Sequence, residues 1–162
     1  MAIPDHVRAL RARIGHDLLV LPGVCALVFN DRGEVLLNRR ADSGGWALLG
    51  GIVDPGEHPA DAVVREVHEE AGIRVVPARL TGVYLTPEIR YPNGDHSQYV
   101  VTAFECVPVD DTPPRVNDDE SLDVDYFPLG AIPDLPPDHR ERLNHALENR
   151  TAAYFRAAGL PL

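Results

Sequence analysis

Three glutamates, Glu66, Glu69 and Glu70, lie in a stretch whose apolar residues recur at helical spacing. The apolar set is Ala60, Val63, Val64, Val67 and Ala71. At about 100° per residue, the carboxylates fall in one arc of a helix and the apolar side chains in another. Like charges four residues apart destabilise an isolated helix, so Glu66 and Glu70 need a compensating cation. Oxygen donors of this kind suit a hard ion such as Mg²⁺ or Mn²⁺.

The spacing alone leaves other interpretations of this acidic face open. The face can be the solvated surface of an ordinary amphipathic helix. Arg65 stands four residues before Glu69, where it can form an ion pair with Glu69 or orient a neighbouring carboxylate within a site. Nothing in the spacing chooses between these roles.

The stretch from Gly51 to Ile73 resembles the signature of the Nudix hydrolases, the MutT-like family. That signature is a glycine, five residues, a glutamate, seven residues, Arg-Glu, an aliphatic residue, one residue, Glu-Glu, one residue, a glycine and an aliphatic residue. Its fixed positions are filled by Gly51, Glu57, Arg65, Glu66, Glu69, Glu70 and Gly72, with Val67 and Ile73 at the aliphatic positions. Upstream, Leu49 replaces the proline of the usual Trp-x-Leu-Pro-Gly-Gly lead-in, and Asp54 stands where a glutamate is common.

The resemblance implies a metal site and a reaction. Gly51 would lend a backbone carbonyl, Glu66 and Glu70 would be inner ligands, and Glu57 and Glu69 would complete or support the cluster. The ion would be Mg²⁺ or Mn²⁺. The substrate would be a nucleoside diphosphate linked to another group, as in a nucleoside triphosphate, an oxidised nucleotide, ADP-ribose or a nucleotide sugar. Hydrolysis of the pyrophosphate linkage would release a nucleoside monophosphate with pyrophosphate or the phosphate of the other group.

Two residues are candidates for the general base. Glu120 lies in a polar stretch before a predicted strand, and loops on a rigid scaffold often supply such groups. Carboxylates that bind cations are poor bases because the ions depress their pKa. The rival, taken from the family, is Glu66 with Arg65 orienting it. A different class of function also remains, a non-catalytic Nudix-fold module that binds nucleotides or regulates, although the intact carboxylates favour an enzyme.

Candidates for substrate binding precede the signature. Arg39 and Arg40 end a predicted strand, where they can meet a phosphate or simply be solvated. Trp46 stands at the entrance to the signature, where it can contact the substrate or anchor the packing. Pro87 and Tyr91 lie where ADP-ribose and dinucleoside-polyphosphate types carry marker residues, but each is one residue, so the substrate is not determined.

The composition of the 162-residue chain limits its partners. A net charge of -10 disfavours a groove for nucleic-acid polymers, whereas a small nucleotide remains suitable. The sequence shows no apolar run long enough for a membrane span and no signal peptide, so we expect a cytoplasmic protein. Cys25 and Cys106 lie in apolar runs and are expected to be buried thiols. A homodimer is compatible with the sequence, which does not reveal the oligomeric state.

The length of the chain predicts a single domain, residues 1–162, and apolar periodicity predicts its elements. It begins with an N-terminal helix within residues 1–15 and a hairpin of residues 20–29 and 34–39. After the signature loop and helix, 51–73, come a long hairpin of residues 74–89 and 97–107, a polar loop, a strand over 122–127 and a C-terminal helix, 138–158. This order implies an α/β/α sandwich with a mixed β-sheet, the fold of the Nudix family.

Overall fold

A computed structural model describes residues 3–148 and 151–156, and within these ranges the chain forms three α-helices and seven β-strands. The helices are α1 (Asp5–Ile14), α2 (Pro59–Ala71) and α3 (Pro137–Leu147), with a short 3₁₀ helix at Leu129–Ala131. The strands are β1 (Leu19–Val28), β2 (Val35–Arg40), β3 (Trp46–Ala47), β4 (Val75–Leu85), β5 (Ile89–Arg90), β6 (His96–Pro108) and β7 (Ser121–Phe127).

The strands divide between two sheets. In the larger sheet β6 is central, with β1 parallel on one side and β4 antiparallel on the other, and β5 pairs with the start of β6. In the smaller sheet β2 lies between β3 and β7, and both pairings are antiparallel. The predicted α/β sandwich with a mixed sheet is confirmed, as is the long antiparallel pairing of β4 with β6.

The predicted hairpin of β1 and β2 is wrong beyond its turn. Gly33 N donates to Asn30 O at 3.0 Å and Asn30 N to Glu34 O at 3.1 Å, which close the turn, and an isolated bridge joins Phe29 to Val35, but β1 and β2 do not pair as strands in the described residues. The edge of β1 that would pair with β2 is occupied by the chain segment before α2. Val24 N donates to Gly51 O and Ala26 N to Leu49 O, each at 2.9 Å. This pairing places the start of the signature directly beside β1.

The predicted C-terminal helix is too long. Helix α3 ends at Leu147, and the end of the predicted range, 157–158, lies outside the described residues. Tyr154 is not helical, because its backbone pairs with the edge of β4. Its N–H donates to Thr81 O and its carbonyl accepts from Val83 N, each at 2.8 Å. The Tyr154 ring also stacks on His145, with the centroids 3.8 Å apart.

Buried apolar side chains fill both sides of β1. Val24, Ala26 and Val28 pack towards α2, whereas Cys25 and Leu27 pack in the cluster that includes residues of α3. Cys25 and Cys106 are buried free thiols, as predicted. Among the described residues, no helix has the length and apolar character needed to cross a membrane.

Candidate active site

Helix α2 has the amphipathic form that the sequence predicts. Pro59 occupies its first turn, and Gly72 ends it in the left-handed conformation, with φ 67° and its N–H donating to His68 O. Val63, Val67 and Ala71 of the predicted apolar arc are buried, as is the neighbouring Ala62, whereas Ala60 and Val64 are partly buried. The helix packs against β1 and β4. This anchoring holds the acidic arc in a fixed position.

Arg65 is the centre of a carboxylate cluster. Its Nε and Nη2 donate to the two carboxylate oxygens of Glu57, each at 2.9 Å, in a bidentate pair. Its Nη1 donates to Glu66 Oε1 at 2.8 Å and to Glu69 Oε2 at 3.0 Å, and Nη2 also donates to Ile52 O. The sequence left open whether Arg65 pairs with Glu69 or orients its neighbours, and in the structure it does both. Its hydrogen bonds also lower the pKa of Glu57.

Glu70 is the most deeply buried carboxylate of the signature, at 3% exposure. Gly50 N donates to its Oε2 at 3.0 Å, and Asn38 Nδ2 donates to its Oε1 at 3.0 Å. Burial raises the pKa of Glu70 well above its usual value. The sequence reasoning missed Asn38, although an amide within the apolar run of β2 was a signal for it.

The Gly51 carbonyl accepts the hydrogen bond from Val24 N, and its role as a backbone ligand for a metal ion stays a prediction. Gly51 also contributes by its missing side chain, because a Cβ there would collide with the Glu66 carboxylate. Gly50 is needed for a related reason. It has φ 148°, and a Cβ would collide with the Val24 carbonyl.

Glu66 and Glu120 face the same cleft, which has a volume of about 640 Å³. Burial raises the pKa of Glu66 to about 7; Arg65 opposes the rise, and the charges of Glu69 and Glu120 add to it. The loop that carries Glu120 is fixed to the end of α2, since Asn117 Nδ2 donates to His68 O at 3.0 Å. The lining of the cleft consists of residues 4–6, 50–52, 54, 55, 65, 66, 69, 70, 117, 118 and 120.

In the part of the chain that the structure describes, no group of three or more histidine, cysteine, aspartate or glutamate side chains is arranged to hold a metal ion directly. The Arg65 guanidinium already lies among the oxygens of Glu57, Glu66 and Glu69. Arg65 is therefore the compensating cation of the cluster. A divalent ion would have to bind beside Arg65 or replace part of its contacts with the glutamates.

Comparison with known proteins decides the family. The NUDIX domain family model matches residues 20–149, which include the whole glutamate cluster and the loop of Glu120. The chain belongs to the Nudix family. The resemblance of residues 51–73 to the Nudix signature is thereby confirmed.

Relatives of this Nudix chain are similar to parts of it. A MutT-like protein from Streptomyces ambofaciens is 49% identical over 61 residues, which are 38% of this chain and 40% of that protein. A putative 8-oxo-dGTP diphosphatase from Bacillus subtilis is 40% identical over 68 residues, 42% of this chain and 46% of that protein. The chain thus spans less than half of these relatives. The crystal structure of the MutT protein from Methanosarcina mazei has a TM-score of 0.64 and 27% identity, covering 83% of this chain and 99% of that one.

The predicted substrate-binding residues of this Nudix domain do not line the described cleft. Arg39 Nε donates to Gly44 O, and Arg40 forms a bidentate pair with Asp42, at 3.0 and 2.8 Å. Trp46 packs edge-on against Phe127, with the ring centroids 4.7 Å apart. Their contact with substrate stays a prediction, and for Trp46 the structure shows the packing role.

Proposed function

We propose that this protein is a divalent-metal-dependent hydrolase of nucleoside diphosphate derivatives. It cleaves the pyrophosphate linkage and releases a nucleoside monophosphate together with pyrophosphate or a phosphorylated group. The observation that carries this proposal is the convergence of four carboxylates, Glu66, Glu69, Glu70 and Glu120, on one cleft. Three of them stand on a helix that is packed into the core, which keeps them in register with little reorganisation.

The residues present fit a hard divalent ion. The donors are carboxylate oxygens, the ligands that Mg²⁺ and Mn²⁺ prefer. The absence of a Cβ at Gly51 leaves room for the Glu66 carboxylate, and the two donors to Glu70 fix its orientation. Glu66, Glu69 and Glu70 would hold the ion. When bound, it would neutralise charge on the pyrophosphate oxygens and make water more acidic.

Glu57 and Arg65 have supporting roles in this proposal. Glu57 accepts from one edge of the Arg65 guanidinium, Nε and Nη2, and so fixes the arginine, while its role as a metal ligand stays a prediction. Arg65 in turn orients Glu66 and Glu69 through Nη1. Glu120, on the loop across the cleft, would accept the proton of the attacking water.

The names of two relatives support a ranking of the candidate substrates. The Bacillus subtilis relative is named as a putative 8-oxo-dGTP diphosphatase, and the Streptomyces relative as MutT-like. We therefore rank nucleoside triphosphates and their oxidised forms first, before ADP-ribose and nucleotide sugars. The net charge of -10 supports a small nucleotide over a nucleic-acid polymer.

The test is a panel of nucleoside triphosphates, 8-oxo-dGTP, ADP-ribose and nucleotide sugars, incubated with Mg²⁺ or with EDTA. Chromatography should show a nucleoside monophosphate with Mg²⁺ and none with EDTA. Asp111→Asn, which removes one charge from a loop away from the cleft, should retain full turnover. Nucleotide binding without turnover on the whole panel would contradict the proposal and favour a non-catalytic module.

A further inference from the structure

The first turn of α1 forms part of the wall of the catalytic cleft. Pro4, Asp5 and His6 line it together with the glutamates of α2. His6 Nδ1 lies 3.6 Å from Asp54 Oδ1, which belongs to the loop before α2. Asp54 in turn contacts Glu57, because its N–H donates to Glu57 Oε2 at 3.1 Å. The N-terminal helix is thus connected to the loop that supports the carboxylate cluster.

Helix α1 is held firmly enough to position a side chain. Val7 is buried in a cluster with Leu21 and Ile52, and Ile52 itself lines the cleft. Arg11 Nη2 donates to His96 O at 2.7 Å and to Ser97 Oγ at 2.8 Å. These contacts dock the helix on the ends of β1 and β6. His6 is adjacent to the buried Val7, and its side chain keeps 24% exposure towards the cleft.

The charges of the side chains that line the cleft indicate a role for His6 in substrate binding. Among the described residues that line it, two side chains carry a nitrogen base, Arg65 and His6. The three guanidinium nitrogens of Arg65 already donate to glutamates and to Ile52 O. Most other charged lining groups are carboxylates, which repel phosphate oxygens. His6 is therefore placed to donate a hydrogen bond to an anionic substrate, and Asp54 Oδ1 lies 3.6 Å from its Nδ1.

We propose that His6, oriented by Asp54, is a substrate-binding residue that contacts a phosphate group of the substrate away from the glutamates of α2. This inference rests on the proposed function, since it assigns a further contact to the same substrate. Helix α1 then has a role beyond packing, because it brings an imidazole N–H donor to a cleft whose other basic side chain, Arg65, is already bound to carboxylates.

The kinetic test compares His6→Ala with His16→Ala. His16 is a matched histidine just after α1, exposed and in contact with Asp95. With the best nucleotide of the panel, His6→Ala should raise KM about 10-fold and leave kcat within about threefold, since the contact is to a group that does not react. His6→Gln, which keeps an N–H donor, should recover part of the loss, and His16→Ala should match the wild type. An unchanged KM in His6→Ala would overturn the inference, as would an equal rise in His16→Ala.

A binding measurement separates this inference from the proposed function. Isothermal titration with inorganic pyrophosphate and Mg²⁺ requires no turnover. His6→Ala should weaken pyrophosphate binding about 10-fold, with an unchanged Tm, and should not alter the binding of the free nucleoside. If the wild type hydrolyses nothing on the panel, the proposed function fails, yet this titration still decides the role of His6. If His6→Ala weakened only the binding of the free nucleoside, the assignment of His6 to a phosphate group would be overturned.

Discussion

Asn38 Nδ2 donates a 3.0 Å hydrogen bond to Glu70 Oε1, and both side chains are almost fully buried. Asn38 lies on β2 and Glu70 on α2, so this bond joins the smaller sheet to the signature helix. The other oxygen of Glu70 accepts from Gly50 N. Side chains that hold a ligand in place contribute strongly to metal affinity and activity, even though they touch neither ion nor substrate.

We predict that Asn38→Leu lowers kcat about 10- to 100-fold, because Glu70 loses one of its two donors. The free energy of unfolding should fall by about 1–3 kcal/mol, the usual cost of a buried polar group that loses a partner. Ser121→Ala is the matched control, since Ser121 Oγ lies 3.5 Å from the same Asn38 nitrogen and does not contact Glu70. Equal kcat values for Asn38→Leu and Ser121→Ala would show that Asn38 does not support the active site.

The acidic arc itself gives the second prediction. Glu69→Gln and Glu70→Gln should each lower kcat at least about 100-fold without unfolding the protein, because each removes a charge from the proposed metal site and not from the apolar core. Glu141→Gln, an exposed glutamate on α3, serves as the control for a helical position elsewhere. Circular dichroism checks the fold of each variant. Wild-type turnover in both signature variants would show that the acidic arc is only a solvated surface.

Local spacing explains why part of this site could be predicted. Glu66, Glu69 and Glu70 share one helix, so the 3.6-residue period fixes their relation before any tertiary contact forms. The contacts of Asn38 and His6 depend on tertiary structure. Asn38 lies 32 residues from Glu70 in the chain, and they meet only because β2 joins a second sheet. His6 reaches the cleft only because α1 docks on β1 and β6, which no local pattern indicates.

The errors in the fold have a similar cause. The turn at residues 30–33 has the composition of a hairpin, and the turn does form. Whether β1 then pairs with β2 depends on competition for the free edge of β1, and the segment of Leu49 to Gly51 occupies that edge. Likewise, the helical spacing continues past Leu147, but the edge of β4 offers Tyr154 two backbone hydrogen bonds that favour extended structure.

Metal binding should be visible as added stability. A ligand that binds only the native state adds about 2.7 kcal/mol at a hundred times its Kd. For a domain of this size that corresponds to a rise in Tm of roughly 5–10 °C. We expect calorimetry to show this shift with millimolar Mg²⁺ or Mn²⁺. NaCl at equal ionic strength should not reproduce it, and the double variant Glu69→Gln/Glu70→Gln should lose most of it. A shift that persists in the double variant would place the ion elsewhere.

The partly buried His139 predicts a pH dependence of stability. Its Nδ1 accepts from Leu48 N at 3.1 Å, and burial lowers the pKa of His139 from 6.5 to about 4. Between these values the unfolded chain holds a proton that the native protein does not. The neutral His139 therefore makes its full contribution to the free energy of unfolding above pH 6.5. This contribution is lost as the pH falls from 6.5 through 4, and the total loss is about 3 kcal/mol.

A difference measurement isolates this effect. Glu66 changes the free energy of unfolding in the opposite direction over an overlapping pH range, because burial raises the pKa of Glu66 to about 7. We therefore compare urea denaturation of the wild type and of His139→Asn, in which the amide oxygen can accept from Leu48 N. The stability of the wild type relative to His139→Asn should decline from pH 6.5 to pH 4. A flat difference curve would mean that His139 takes up its proton over the same pH range in the native protein as in the unfolded chain.

The last prediction concerns the general base. Glu120 lines the same cleft as the glutamates of α2, and carboxylates that bind Arg65 or a metal ion are poor bases. Its loop is held in place, because Ala41 N donates to Glu120 O at 2.8 Å and Asp118 Oδ1 accepts from Glu120 N at 3.1 Å. A base on a fixed loop can approach water from the side away from the ligands. Glu66, whose Oε1 accepts from Arg65, is the alternative.

Glu120→Gln and Glu66→Gln separate the two assignments through kcat and its pH profile. A general base contributes about 10²- to 10⁴-fold, so Glu120→Gln should lower kcat within that range and remove the acidic limb of the profile. Its KM for Mg²⁺ should change little, since proton transfer and ion binding are then carried by different carboxylates. Glu66→Gln should lower both kcat and the affinity for Mg²⁺. Asp119→Asn, in the same loop but not among the residues that line the cleft, is the matched control. Wild-type kcat in Glu120→Gln would transfer the role to Glu66, which lines the same cleft and accepts a hydrogen bond from Arg65 Nη1.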